Sequence, residues 1–315
     1  MPCRCSNSCG SDQLRDAGGC APARSLHSAP VPGRERQTCR VRQAHHEINR
    51  LVDGEYVEPY AGGAAIALEF LFHEYVSRVH INDVSRPIYA FWHSVLNHPD
   101  VFCRLLRDIP LTMESWDAQK KILANGAKHA LLDLGFAAFF LSRTNRSGIL
   151  NAGVIGGRAQ TGKWKIDARY NADELITRIL SIASMRSRIK LTRLDAIKFL
   201  RAGKERWPDN TLIYLDPPYY VKGHELYYDF YKPENHDEVV RFVLEEIQRQ
   251  SWIISYDVPE VRSLYASCRS IAYGVGYSAR HARQGAEVMF FSDRLAIPPT
   301  VGPMTRTDSE QPSLL

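Results

Sequence analysis

Leu212-Ile213-Tyr214-Leu215-Asp216-Pro217-Pro218-Tyr219 decides the reading of this chain: an apolar run of strand length stops at a carboxylate, two prolines and an aromatic ring. The run predicts a buried strand, and the prolines end it because they cannot donate to a sheet ladder. Its carboxyl end then carries a flat polar pocket with an acceptor edge and a stacking face, which suits an exocyclic amine on a purine-like ring. Such an amine is a weak nucleophile, because its lone pair is delocalised into the ring. The Asp216 carboxylate can accept one of its N–H bonds and the Pro217 carbonyl the other, while Tyr219 offers its face to the base. The plainer alternative is a tight turn after a strand, with Tyr219 packed on the surface.

Upstream, Tyr56-Val57-Glu58-Pro59-Tyr60-Ala61-Gly62-Gly63-Ala64-Ala65 leads into the apolar segment 66–72. A short strand, a glycine turn and a helix of small residues let backbone approach a ligand, with helix N–H groups facing it. The third glycine of the dinucleotide fingerprint is absent. The next strand, Arg78-Val79-His80-Ile81, runs into Asn82-Asp83 about 20 residues beyond the glycines, the separation at which nucleotide-binding units place an acid on ribose hydroxyls. Asp83 can equally cap a helix beginning near Ser85. A third strand, 189–193, ends at Asp195, which either reads an adenine amino group or caps the following helix.

Glu-Pro-Tyr-Ala-Gly-Gly, Asn82-Asp83, Asp195, the DPPY stretch, Ser255-Tyr256-Asp257 and Glu287-Val288-Met289-Phe290-Phe291 occur in the order seen in Dam-like DNA adenine N6-methyltransferases. The resemblance spans residues 51–298. It implies a Rossmann-like α/β sheet dependent on S-adenosylmethionine, interrupted by a mainly helical target-recognition insertion. It also implies that Glu58, Tyr60, Gly62 and Asp195 line the cofactor pocket, that Asp83 holds the ribose, and that Asp216 lies between cofactor and target base. Catalysis would fall to Asp216, Pro217 and Tyr219, on an adenine flipped from double-stranded DNA, with no metal.

The charge and cysteine totals gain meaning once located. Residues 1–46 hold seven arginines against Asp12, Asp16 and Glu35, a net of +4 out of the whole chain's +5, together with Cys3, Cys5, Cys9, Cys20 and Cys39. The cysteine spacings match no zinc pattern. A disordered basic arm that adds affinity for phosphates is one reading. The other is a frame disturbance. The resembled family begins with Arg-Tyr-Pro-Gly-Gly-Lys, a cofactor-contacting motif absent here. Yet Pro30-Val31-Pro32-Gly33-Arg34-Glu35-Arg36 can be back-translated so that the shifted frame encodes Arg-Tyr-Pro-Gly-Gly-Lys-Gly, with the family frame resuming near Glu47.

Segments 47–85 and 188–298 are therefore expected to form the catalytic domain around an insertion at 86–187, with 299–315 as a disordered tail. Within the insertion, Ile88, Phe91, Trp92 and Val95 recur at helical spacing and read as core. Two loop stretches, 143–148 and 156–165, combine cations, amides and glycine. Arg143, Arg146, Lys163 and Lys165 are expected to meet phosphates and Asn145 or Gln160 to read base edges, although a basic loop can also be a solvated face. Asn171-Ala172-Asp173-Glu174 reads as a helix start, 237–248 as an amphipathic helix, 251–256 as a buried strand, and 268–276 with 287–292 as an antiparallel pair. Phe230, Tyr231 and His236 are placed to close over the base, with Tyr227 and Tyr228 as packing.

An apolar content of 44% is ordinary for a globular protein, and no run reaches membrane-spanning length or marks a secretory signal, so a cytoplasmic monomer is expected. Two rivals stand beside the DNA enzyme: an RNA or protein amine methyltransferase, against which the long insertion argues, and a non-catalytic DNA-binding remnant that lacks the first cofactor motif.

Overall fold

Alternation along the strands sends side chains into two cores, one on each face of a single sheet. The structure, a computed structural model, describes Asn49 and residues 51–218, 233–256, 261, 263–276 and 284–297. Residues 1–46, Tyr219, Tyr227, Tyr228, Phe230, Tyr231, Asp257 and 299–315 lie outside the described residues. The strands are β1 (Gly54–Glu58), β2 (Val76–Asn82), β3 (Ile189–Thr192), β4 (Leu212–Leu215), β5 (Ser251–Tyr256), β6 (Arg269–Gly276) and β7 (Gln284–Phe291). They lie in the order β3-β2-β1-β4-β5-β7-β6. The first five are parallel, and β7 runs antiparallel between β5 and β6.

Helices α1 (Ala65–Phe72), α2 (Arg86–Asn97), α3 (Pro99–Asp108), α4 (Met113–Ala124), α5 (Leu131–Thr144) and α6 (Ala172–Ser184) share one core with the first sheet face. Tyr56, Val79, Leu212, Tyr214, Ile253 and Met289 supply that face. Helices α7 (Ala196–Gly203) and α8 (Pro233–Glu245) cover the other, against Val57, Ile213, Leu215, Trp252 and Ile254. Burial on both faces is why these strands read as continuous apolar runs. The chain thus forms a Rossmann-like α/β sheet with a long insertion between β2 and β3. That insertion is not walled off, because its helices and the sheet bury their apolar residues in one continuous cluster.

Within the insertion, α2 and α5 approach closely. A Cβ added at Gly135 of α5 would stand 2.4 Å from the Ala90 carbonyl oxygen of α2, so only glycine fits there. Phe91 and Phe139 stack at 5.4 Å across the same helix pair.

The boundaries differ from expectation in places with clear causes. Helix α8 begins at Pro233, four residues early, because proline is tolerated in a first turn. It ends at Glu245, where the Glu246 and Ile247 amides both turn back to the Phe242 carbonyl. Helix α6 starts as read, with the Asn171 side chain accepting from the Glu174 amide at 3.3 Å.

Candidate active site

Strand β1 is the switch point of the sheet. The chain leaves it through α1 on one face to reach β2, and later returns through α7 on the opposite face to β4, its other neighbour. Diverging crossovers open a crevice at the carboxyl ends of such strands. Tyr56 pairs with Leu212 and Val57 with Ile213, so the loops after Glu58 and Leu215 leave the same sheet edge side by side.

Asn82 organises this edge. It is fully buried, and its amide nitrogen donates to the carbonyls of Pro59 (3.0 Å) and Leu194 (2.9 Å). Its side-chain oxygen accepts from the Thr192 hydroxyl (2.8 Å) and the Leu194 amide (2.9 Å), and its own carbonyl accepts from the Ala61 amide (2.9 Å). Pro59 and Ala61 are thereby fixed on either side of half-buried Tyr60, and the tips of β1, β2 and β3 are joined through one side chain. Sequence reading paired Asn82 with Asp83 but gave it no role. A buried amide at a strand end, next to an acid, was the available signal.

The glycine turn is held at its centre. Gly62 has φ +48°, in the left-handed region, and its amide donates to Asp83 Oδ2 at 2.9 Å. Its carbonyl accepts the indole N–H of Trp92 at 2.9 Å. A Cβ added at Gly62 would meet nothing within 4 Å, so the turn borders open space, as a cofactor cradle should. Ala64 is also left-handed, at φ 46°, where a side chain costs about 1 kcal/mol.

The other expected cofactor residues fall as follows. Asp83 Oδ1 accepts the Ser85 amide at 2.9 Å, so Asp83 both braces the start of α2 and ties down the glycine turn. A carboxylate has about four acceptor sites, which leaves these bonds compatible with a ribose hydroxyl. Asp195 is exposed and caps α7, accepting the Lys198 amide at 3.1 Å. Glu58 is buried at the tip of β1.

At the end of β4, Asp216 is exposed, Pro217 buried and Pro218 half-buried. Asp216 Oδ1 accepts the Ser255 hydroxyl at 2.7 Å, and Ser255 Oγ lies 2.5 Å from the Tyr214 hydroxyl. Tyr214 faces the core shared with α1 and the insertion. The carboxylate is thus oriented by a hydroxyl from the neighbouring strand, with one oxygen engaged and its body toward solvent. Tyr219 lies outside the described residues. His236, placed by sequence over the base, is instead buried, 5.8 Å from the Tyr256 ring, and burial holds its pKa below the usual histidine range.

The five residues expected to meet DNA divide. Asn145 is fully buried; its oxygen accepts the Trp116 indole N–H at 2.7 Å and its nitrogen donates to the carbonyls of Ile149 and Leu150. The expectation that it reads a base edge is corrected, because both ends of its amide are spent folding the loop. Gln160 is used in the same way, bonding Ile155, Gly157 and Ile166. Arg143 is 7% exposed and donates to the Arg169 carbonyl at 3.1 Å. Burial, then the charges of Arg169 and Arg178, push its pKa down to about 10 against the pull of Glu174. It braces the return of the chain into α6, and the expected phosphate contact is corrected too. Arg146, Lys163 and Lys165 are exposed. Trp164, which sequence reading noted without assigning, is 66% exposed with Lys163 Nζ 5.6 Å from its ring centroid.

Comparison with known proteins gives one decisive result. The family model for D12 class N6 adenine-specific DNA methyltransferase matches residues 42–276. No curated protein matches the sequence. Two solved structures are similar only distantly. TrmK of M. capricolum, in complex with S-adenosyl-homocysteine, shares 6% identity and a TM-score of 0.34 over 80% of this chain and 69% of its own. For yhhF of Escherichia coli the values are 10% and 0.30, over 81% of this chain and 85% of its own. Scores this low do not bear on the site, but the family match spans most of the sequence, including the glycine turn, Asn82-Asp83, the insertion and DPPY. This chain belongs to the D12 class of N6 adenine-specific DNA methyltransferases, enzymes that methylate DNA adenine from S-adenosylmethionine.

Proposed function

We propose that the crevice between the tips of β1 and β4 is where methyl transfer occurs, on an adenine flipped from duplex DNA. The observation that carries this reading is the side-by-side exit of the glycine turn and the Asp216 loop at the sheet's switch point. The open space beside Gly62 is where S-adenosylmethionine, which supplies an electrophilic methyl group on a sulfonium, would lie. Tyr60, Gly62 and Asp83, with Glu58 and Asp195, would hold it. Asp216 and the Pro217 carbonyl would accept the two N–H bonds of the adenine amine, letting the nitrogen pyramidalise toward the methyl group. Tyr219 would stack on the ring. Positioning and a fixed acceptor supply the acceleration, without a covalent enzyme intermediate.

Contact with DNA is assigned to the exposed face of the insertion, residues 86–187: Arg146, Lys163 and Lys165 on phosphates, with Trp164 as an adjoining apolar surface. The segments 47–85 and 188–298 are read as the catalytic domain of a monomer. Among the described residues no helix is long and apolar enough to cross a membrane.

The family match begins at residue 42, close to where the family frame is read as resuming. Residues 30–35 fall outside the match, which supports the reading that the first cofactor motif is replaced there, so that the chain as it stands binds cofactor weakly. Titrating S-adenosylmethionine by calorimetry, into this chain and into one restored to Arg-Tyr-Pro-Gly-Gly-Lys over 30–35, tests it. Tighter binding and faster DNA methylation by the restored chain are expected. Equal affinity would remove the frame disturbance, and methylation of RNA in preference to DNA would remove the DNA reading.

A further inference from the structure

We propose that Trp92 is a positioning residue for the cofactor site: its indole N–H holds the Gly62 carbonyl, so the inserted region sets the shape of the glycine turn. The inference rests on the reading of that turn as the cofactor cradle. Trp92 lies on α2, the first helix of the insertion, is fully buried, and donates to Gly62 O at 2.9 Å across 30 residues of sequence. A buried indole needs an acceptor of some kind, and a purely structural role would be met by any carbonyl. Here the acceptor is Gly62, at which an added Cβ would meet nothing within 4 Å, so the bond is made to the one turn read as the cradle.

Gly62 is clamped through both of its flanking peptides, the N–H of the 61–62 peptide by Asp83 and the C=O of the 62–63 peptide by Trp92. Glycine has more freedom than any other residue to leave a given backbone well, so a left-handed Gly62 without these bonds is a hinge. Ala64, two residues on, occupies a region that side chains avoid and persists there only if its surroundings hold it. Asp83 cannot supply this alone, since it acts on one side of one peptide. The clamp is itself rigidly mounted. Gly135 of α5 packs against Ala90, two residues before Trp92, with no room for a side chain. At the start of α2, Arg86 donates to the carbonyls of Gly126 and His129. The far end of α5 leads into Asn145 and the exposed basic loop. The helix pair that carries the proposed DNA loop therefore also carries the cofactor clamp.

Trp92→Phe removes the N–H and keeps most of the packing. Phe91→Leu is the control: it lies on the same helix and packs on Phe102, Phe139 and, edge-on at 5.1 Å, Trp92 itself, so it disturbs the packing around the indole and keeps the N–H. In the full-length chain without ligand, Trp92→Phe is expected to speed hydrogen exchange of the amides at 61–64 several-fold, whereas Phe91→Leu lowers the melting temperature and leaves those amides at wild-type rates. With S-adenosylmethionine, Trp92→Phe should raise the dissociation constant and KM about 3- to 10-fold, the effect of one lost hydrogen bond, with kcat at saturating cofactor within twofold. Wild-type exchange at 61–64 in Trp92→Phe, or equal effects from Phe91→Leu, overturns the proposal. Should neither this chain nor one restored to Arg-Tyr-Pro-Gly-Gly-Lys over 30–35 bind cofactor, the cradle reading fails, and the exchange comparison still decides whether Trp92 holds the turn.

Discussion

Two fully buried asparagines show how differently the two working regions of this protein are built. Asn82 joins three strand tips beneath the glycine turn, and Asn145 folds the basic loop of the insertion around Trp116. Each satisfies its whole amide inside the protein. Around Asn82, the glycine turn and Asp83 stay together at the carboxyl ends of the strands. Around Asn145, two of the five residues chosen for DNA contact turn out to be scaffold. In the sheet, position is dictated by strand ends. In the loop it is dictated by distant partners, so residue type alone does not say which polar side chain reaches a ligand.

The largest expected effect lies at the crevice. Asp216→Ala should lower methyl transfer at least about 10²-fold, as loss of a preorganised polar partner does, and shift the melting temperature little, because the side chain is exposed and the Ser255 hydroxyl keeps the Tyr214 hydroxyl as a partner. A variant that turns over at near wild-type rate would show that the crevice is not where chemistry happens.

The asparagines separate next. Either one changed to alanine leaves buried partners unsatisfied, at about 2–4 kcal/mol of stability. Asn82→Ala should also weaken cofactor binding, whereas Asn145→Ala should spare it; calorimetry beside thermal melts distinguishes them, and equal cofactor loss would erase the distinction. Lys163→Ala sharpens the loop side. It should melt as wild type, weaken DNA binding about equally on all sequences, and reduce the salt slope of binding by about one. A melting change without a binding change would return Lys163 to the scaffold.

Ser255→Ala is a smaller test, since it frees the Asp216 carboxylate without removing it. A loss in kcat of about 3- to 10-fold is expected, with KM for the cofactor unchanged. The smallest effect is on pH. His80, on β2 beside Glu55 of β1, has its pKa lowered by burial, against the pull of Glu55 at 2.7 Å. A folded-state pKa below the unfolded value near 6.5 means that its stability contribution is complete above that pH and lost as pH falls from there through the folded pKa. His80→Gln should flatten that acid limb of the melting curve; an unchanged limb assigns it to other groups.

Much of the fold was legible because its signals are local. β4 is an apolar run stopped by prolines, α7 opens on a capping aspartate just after β3, and α6 opens on an asparagine cap. The glycine turn and the Asp216 loop were legible for the same reason, since strand ends carry their loops to one edge. Trp92 was read as core, which it is, but its bond to Gly62 spans two elements and leaves no local trace. Arg143 and Asn145 looked like ligands because cations and amides suit DNA. Their burial depends on Arg169 and Trp116, more than twenty residues away, and no period or spacing reports that.

The most direct measurement is the position of the transferred methyl group. Duplex DNA incubated with S-adenosylmethionine and this chain, with and without the restored 30–35 segment, can be digested and its nucleosides separated by mass spectrometry. N6-methyladenine from the active chain and none from its Asp216→Ala variant is the predicted result. N6-methyladenine in equal yield from both, or the methyl group on cytosine, would contradict it.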